Sequence, residues 1–271
     1  MGRKLVFHLY TYDGMATNSA YKVNQRCLKD CIRHFDKMLF VLSVNDLNNK
    51  NVINDGINWV MDTVGGREVE IKIQQNTPLC ESKVLKDEVI DKLDTLEDLI
   101  YFGHIKGAMW LDRITEEDNI TWSGIVRWIC GLYYFNFIDI NEMEEKLYGI
   151  KYKTEMFYGT FLCYIHERNM YQYIGTHYWL NPMEINRRLK TGECSIPNVY
   201  SRYFAEDFPG IITQSKHELW GDGLSSHKDV SIDGFNLYTN CDDDYARLSE
   251  IMGEPNFMQY SDNIIKEIFG K

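Results

Sequence analysis

The sequence lacks the short signatures that mark several large enzyme classes. GxGxxG, GxxxxGK followed by Ser or Thr, HExxH and GxSxG are all absent. These absences weigh against a dinucleotide-dependent dehydrogenase, a P-loop enzyme, a zinc protease and an α/β-hydrolase. Cysteine is present without a framework: seven residues, at 27, 31, 80, 130, 163, 194 and 241. Cys27 and Cys31 stand four apart on one helix face, and no second pair at metal spacing accompanies them. A zinc site is therefore not expected, and reduced thiols in the cytoplasm are the plain reading. The start, MGRKLVFHLYTY, has no cleavage site and is too short to span a bilayer, and Val6 occupies the position where a myristoylation signal wants Ser or Thr. The expectation is a cytoplasmic chain without a transmembrane segment, with contact to the inner face of a membrane left open. Cations are in deficit, 29 Lys and Arg against 40 Asp and Glu, for a formal net charge of −11. Such a surface repels polyanions, so nucleic acid is not an expected partner, whereas a local basic site for a phosphorylated small molecule is compatible with it. There is no internal repeat and no linker long enough to divide the chain.

What is present fits one large α/β domain. The 271 residues are 44% hydrophobic and 14% aromatic, with 18 Tyr and 6 Trp, more rings than a core requires and suited to stacking on bases or sugar faces. Residues 4–10 read as a strand, followed by a helix from Asn18 or Ser19 to about 35 with Ala20, Val23, Cys27, Cys31 and His34 on one stripe. KMLFVLSV (37–44) is a second buried strand. A helix around 52–63 closes on Gly65-Gly66, and residues 68–76 alternate as a strand nearer an edge. A helix over 79–94 and a strand over 98–102 complete a doubly wound, mostly parallel pattern. Ligands of such sheets bind beyond the carboxyl ends of the strands. Beyond residue 120 the spacing predicts a Trp- and Tyr-rich helix near 121–136, two strands within 155–182, a helix over 183–190, and two further helices near 243–252 and 261–269.

Three stretches carry candidate chemistry. Gly103-His104-Ile105-Lys106-Gly107 ends the fourth strand. Its glycines allow close backbone approach and Lys106 is a point charge suited to a diphosphate, although a solvent-facing turn lysine would look the same. Glu206-Asp207 sit between Tyr203-Phe204-Ala205 and Phe208-Pro209. An apolar frame raises the proton affinity of a carboxylate and suits a general base, but an acid pair at a helix N-terminus is common for its own reasons. In YIGTHYWLNP (173–182) the turn Gly175-Thr176-His177 is equipped to hold a pyranose, while Trp179 is as well explained by the core. Asp242-Asp243-Asp244 resembles a metal cluster but is equally a helix cap.

Together, YFGHIKGA, FYGTF, YIGTHYWLNP and RYFAEDFPG resemble bacterial and viral glycosyltransferases of the GT-A fold. The likeness runs in order over roughly residues 4–212. It implies a GT-A-type, Rossmann-like mixed sheet over residues 1–215, with a nucleotide-binding half to about 110 and an acceptor half beyond it. Residues 216–271 would form a helical extension packed on the same domain. It implies a nucleotide-sugar donor, UDP-linked first of all, and a glycan or lipid-linked glycan acceptor for surface-polysaccharide synthesis. Tyr10, Thr11, Tyr12 and Asp46 would hold base and ribose, and His104, Lys106 and Gly107 the diphosphate. Gly175, Thr176, His177 and Trp179 would face the acceptor sugar. Asp207 would be the base of an inverting transfer, with Glu206 as alternate. The fourth strand departs from the family by lacking Asp-x-Asp, so Lys106 would supply the charge that a metal otherwise brings. No cofactor is required by any motif; manganese or magnesium stays open, with Asp112, His217 and His227 as secondary ligand candidates. Two alternatives remain beside this reading: a sugar-phosphate nucleotidyltransferase and a non-catalytic carbohydrate-binding protein.

Overall fold

A computed structural model describes residues 2–108, 111–112, 122–149, 153–198, 200–214, 223–232 and 241–270. The first half alternates strand and helix: β1 (Arg3–Thr11), α1 (Ser19–Cys31), β2 (Lys37–Val44), α2 (Lys50–Val64), β3 (Glu70–Gln75), α3 (Glu81–Glu88) and β4 (Leu99–His104). The second half runs α4 (Trp122–Phe137), α5 (Ile140–Tyr148), β5 (Phe157–Gly159), β6 (Leu162–Ile165), β7 (Met170–Tyr173), β8 (Tyr178–Leu180), α6 (Pro182–Thr191), α7 (Phe204–Thr213), β9 (Leu224–Ser226), α8 (Cys241–Ile251) and α9 (Asn256–Phe269). Where the sequence pattern offered two strands over 155–182, the chain makes four short ones. Phe161 at φ +56° and the pair Gly175 (φ +102°) and Thr176 (φ +56°) break the extended run.

One seven-stranded sheet has the order β3-β2-β1-β4-β8-β5-β9, and β6 and β7 form a separate hairpin. β1 through β4 are parallel, β8 runs antiparallel to both β4 and β5, and β9 is parallel to β5. This is a mixed, Rossmann-like α/β sheet flanked by helices, and β3 lies at its edge as its alternating sequence predicted. Successive residues of the central strands feed opposite cores. Leu5, Phe7, Leu9, Phe40 and Leu42 pack with α1, α2 and α4, whereas Val6, Leu39, Val41, Ile100 and Phe102 pack with α3 and α7. Covering both faces explains why these strands are apolar throughout.

The C-terminal helices close the α4 side, with Phe257 of α9 against Tyr134 and Phe135 at ring distances of 5.4 and 4.7 Å. The expected boundary at 215 lies outside the described residues. Among the described residues, no helix is long and apolar enough to cross a membrane.

Helix α7 is seated by an exchange of partners. Pro209 has no N–H to offer the Ala205 carbonyl one turn earlier, and the Tyr178 hydroxyl of β8 donates to that oxygen instead, at 2.9 Å. A Cβ on Gly210 would come within 2.1 Å of the Tyr171 carbonyl, so only glycine lets α7 lie this close to β7. At its other end, Ser82 Oγ of α3 accepts from the Ala205 N–H and donates to the Arg202 carbonyl. FAEDFPG therefore encodes how the helix docks as well as the carboxylates that it carries.

Candidate functional site

The chain order reverses between β1 and β4, and a cavity of about 860 Å³ opens at that point, beyond the carboxyl ends of the parallel strands. His8, Tyr10 and Tyr12 reach it from β1 and the residue after it. Asn76, Cys80 and Glu81 come from the turn after β3 and the start of α3, His104 to Ala108 from the end of β4, and Arg202, Tyr203 and Glu206 from the start of α7. Tyr10 and Tyr12 are stacked with ring centres 5.8 Å apart and planes 18° from parallel, and Asn45 Nδ2 donates to the Tyr10 hydroxyl at 2.7 Å.

The loop after β4 answers to α1. Asn24, buried in the middle of that helix, accepts from the Lys106 N–H at 3.3 Å and donates to the Lys106 carbonyl at 2.8 Å. Tyr133 donates its hydroxyl to the same Asn24 oxygen at 3.0 Å. Asn18 caps α1 by accepting from the N–H groups of Ala20 and Tyr21, and its amide donates to the Ala108 carbonyl at 3.3 Å. Gly107 has φ +78°, and a Cβ there would meet Ile129 at 2.8 Å. Gly103 is needed for a different reason: a Cβ would press on the His177 ring at 3.2 Å. Held this way, Lys106 places Nζ 3.2 Å from Glu206 Oε1 and 5.9 Å from the centre of the Trp128 ring.

The two expected bases part company. Glu206 faces the cavity and Lys106, but Asp207, the first choice from the sequence, turns the other way to pair with Arg168 of the β6–β7 turn. One helical step separates them by about 100°, so only one of two adjacent residues can face the cleft. Burial pushes the Asp207 carboxyl up from its usual range, against the downward pull of Arg168. Both acids lie in the first turn of α7, so the dipole reading of the pair also holds.

Several other expectations are corrected. Thr11 alternates away from Tyr10 and Tyr12, is buried, and donates to the Ser43 carbonyl at 3.4 Å. Asp46 is exposed, accepts from the Asn48 N–H at 2.8 Å and does not line the cavity, where Asn76 stands instead. Gly175, Thr176, His177 and Trp179 are all buried, and none lines the cavity. Buried and off the cavity wall, they do not meet an acceptor sugar there. His177 instead carries the floor of the site. Its Nε2–H donates to the His104 carbonyl at 2.8 Å and its Nδ1 accepts from the Tyr101 hydroxyl at 2.8 Å. Burial holds this ring neutral, with its pKa down to about 3.

The metal candidates fare no better. His227 lies away from the cavity with both ring nitrogens engaged, Nδ1 with Glu142 at 2.7 Å and Nε2 with Glu254 at 3.4 Å. Asp112 does line the cavity, but it accepts from the Ser19 N–H at 3.0 Å. His217 and the side chains of Asp242 and Asp243 lie outside the described residues.

Sequence reasoning passed over His8, Asn24, Asn76, Cys80, Glu81 and Arg202. Period-two alternation from Tyr10 and Tyr12 would have found His8. A polar Asn24 beside the apolar stripe of α1 was a second available signal. Cys80, at φ +47° immediately before α3, is a strained residue on the cavity wall. His8, Glu81 and His104 bring one potential ligand atom each to within 4.8 Å of one another, on the same wall.

No family model matches the chain. No curated protein matches it either. Among solved structures it is similar to one described as the crystal structure of 4-diphosphocytidyl-2C-methyl-D-erythritol synthase, covering 93% of this chain and 99% of that one at 9% identity and a TM-score of 0.36. An overlap that loose assigns the chain neither to a family nor to an activity.

Proposed function

We propose that the chain is a sugar-nucleotide-dependent glycosyltransferase working at the β1–β4 cavity. The observation that carries this reading is Lys106 opposite Glu206 at 3.2 Å, on the wall of a cavity edged by the stacked Tyr10 and Tyr12. A cation and a carboxylate are the two charges that the reaction needs: one to meet a departing diphosphate and one to take the acceptor proton. Paired with each other, the two charges neutralise. A bound diphosphate would draw Lys106 away, freeing Glu206 to accept the proton of an acceptor hydroxyl. That oxygen forms its bond to the anomeric carbon as the bond from this carbon to the phosphate oxygen breaks. The electron pair leaves with the nucleoside diphosphate beside Lys106, and the anomeric centre inverts. A UDP-sugar is the first donor to try and a glycan or lipid-linked glycan the acceptor class. The GT-A resemblance supports this assignment, with the base moved from Asp207 to Glu206.

Nucleotidyl transfer onto a sugar phosphate is the second reading, favoured by a second cation, Arg202, on the cavity wall. Against it, residues 12–18 after β1 contain neither Lys nor Arg to cradle a triphosphate. One assay separates the two. The protein is incubated with a panel of nucleotide-sugars, and in parallel with nucleoside triphosphates plus sugar 1-phosphates. Release of nucleoside diphosphate is expected, falling in Lys106→Ala by about 2–4 kcal/mol of transition-state stabilisation. Release of pyrophosphate alone would hand the site to nucleotidyl transfer.

A further inference from the structure

We propose that His8, Glu81 and His104 form a divalent transition-metal site in the cavity wall, with two nitrogen donors and one oxygen donor. The two histidines are brought together by sheet register: His8 of β1 and His104 of β4 are direct partners in the parallel ladder. Their rings lie 6.5 Å apart between centres and 16° from parallel. Glu81 arrives from the N-terminus of α3, and one ligand atom from each of the three falls within 4.8 Å of the others. Donors 2.0–2.2 Å from a metal stand roughly 3–4.4 Å apart, so atoms within 4.8 Å of one another come onto one ion with only a small movement of the side chains.

A second observation points the same way. His104 is more than nine-tenths buried, yet its Nε2 has no hydrogen-bond partner among the described residues. A buried polar nitrogen left idle costs stability and calls for an explanation. His8 is prepared differently. Its Nε2 is bonded to Ser43 Oγ at 2.9 Å, and Ser43 Oγ also accepts from Gln74 Nε2 at 3.1 Å. In the tautomer that donates Nε2–H to Ser43, the lone pair of His8 is on Nδ1. Metal-binding imidazoles are commonly oriented by such an outer hydrogen bond.

Two imidazoles and a single carboxylate favour zinc or cobalt over manganese, magnesium or calcium, which are better served by oxygen donors. Three protein donors leave at least one coordination position directed to the cavity, for water or an anionic oxygen. The argument against zinc from cysteine spacing does not reach this cluster, because no cysteine belongs to it. The site also stands independently of the transferase reading, since donor geometry alone defines it.

The test uses metal alone, with no nucleotide. Chelator-treated, dialysed full-length protein is titrated calorimetrically with zinc, manganese and magnesium, and the cobalt-loaded form is examined for visible ligand-field bands. One zinc equivalent is expected, with magnesium at least a hundredfold weaker. His104→Ala and Glu81→Gln should each weaken zinc at least tenfold and alter the cobalt bands. Glu81→Gln guards against misfolding, since Glu81 is only partly buried, and a melting curve on each variant checks the fold. An absence of stoichiometric zinc binding in the wild type would overturn the proposal, as would unchanged zinc affinity in both folded variants. Neither result would touch Lys106, Glu206 or the release of nucleoside diphosphate.

Discussion

The two halves of the sheet use the same kind of sequence for opposite ends. In the first half, β1 and β2 run nine and eight residues, and pairing is continuous across four parallel strands. Their carboxyl ends, and the turns that follow, deliver His8, Tyr10, Asn76, Glu81, His104 and Lys106 to one cavity. In the second half, β5, β8 and β9 are three residues each, and their polar and aromatic side chains go into the core. From that half, α4 brings Ile125 and Trp128 and the start of α7 brings Glu206 to the site. The lesson is that a motif's composition does not say which way it faces. YIGTHYWLNP has the chemistry of a sugar platform, but Gly175, Thr176, His177 and Trp179 are buried away from the cavity. GHIKG has less distinctive chemistry but sits at a strand end, where the main chain must leave the sheet.

The largest expected effect divides neighbours on α7. Glu206→Gln should lower turnover about a hundredfold or more, the scale of a lost general base, with the fold intact. Asp207→Asn should keep turnover within a few fold and lose about 1–2 kcal/mol of stability as its bond to Arg168 weakens. Steady-state rates and melting curves on both variants decide the matter. The reverse ranking would restore the base to Asp207 and require the cavity to be redrawn around Arg168.

The comparison sharpens at the floor, where the second half supports the first. His177→Ala should cost about 2–4 kcal/mol, as for other large truncations in a core, and Gly103→Ala about 1–3 kcal/mol by overpacking against the His177 ring. In both, nucleotide affinity measured by calorimetry on the folded protein should move by less than tenfold. Abolished binding with unchanged stability would make His177 a ligand-facing residue after all.

The smallest effect is expected at Asp46. Its carboxylate holds a turn on the surface, so Asp46→Ala should shift stability by no more than about 0.5 kcal/mol and nucleotide affinity by less than twofold. A tenfold loss in the same titration would bring the ribose to the end of β2.

These contrasts also mark what could be read from residues alone. The alternating strands and helices to residue 104 were legible because periodicity and capping signals such as Asn18 and Gly65-Gly66 act locally. Lys106 and Glu206 were legible as candidates because each belongs to a compact motif at an element's end. The partition of Glu206 from Asp207 was not, since it depends on the rotation of α7, and that is set by Tyr178 and Ser82 from elsewhere in the chain and by the close approach of Gly210 to Tyr171. Nor was the His8–Glu81–His104 cluster, whose members lie on three elements: parallel register pairs the histidines and α3 brings Glu81 to them. The same holds for His177, which is buried among Phe7, Tyr101 and Tyr133 from β1, β4 and α4.

The double hydrogen bond from Asn24 to Lys106 has a kinetic side. A single side-chain amide satisfies both the N–H and the carbonyl of that residue, as a neighbouring strand would, and Asn18 secures Ala108 two residues later. Fixing one backbone residue costs roughly 1–2 kcal/mol in conformational entropy. For the short Ile105–Gly107 segment that cost is met when the domain folds, before any ligand arrives. Encounter with an anion therefore requires no ordering of this segment, and its contribution to binding should appear in association at a rate set by diffusion, with dissociation carrying the differences between ligands.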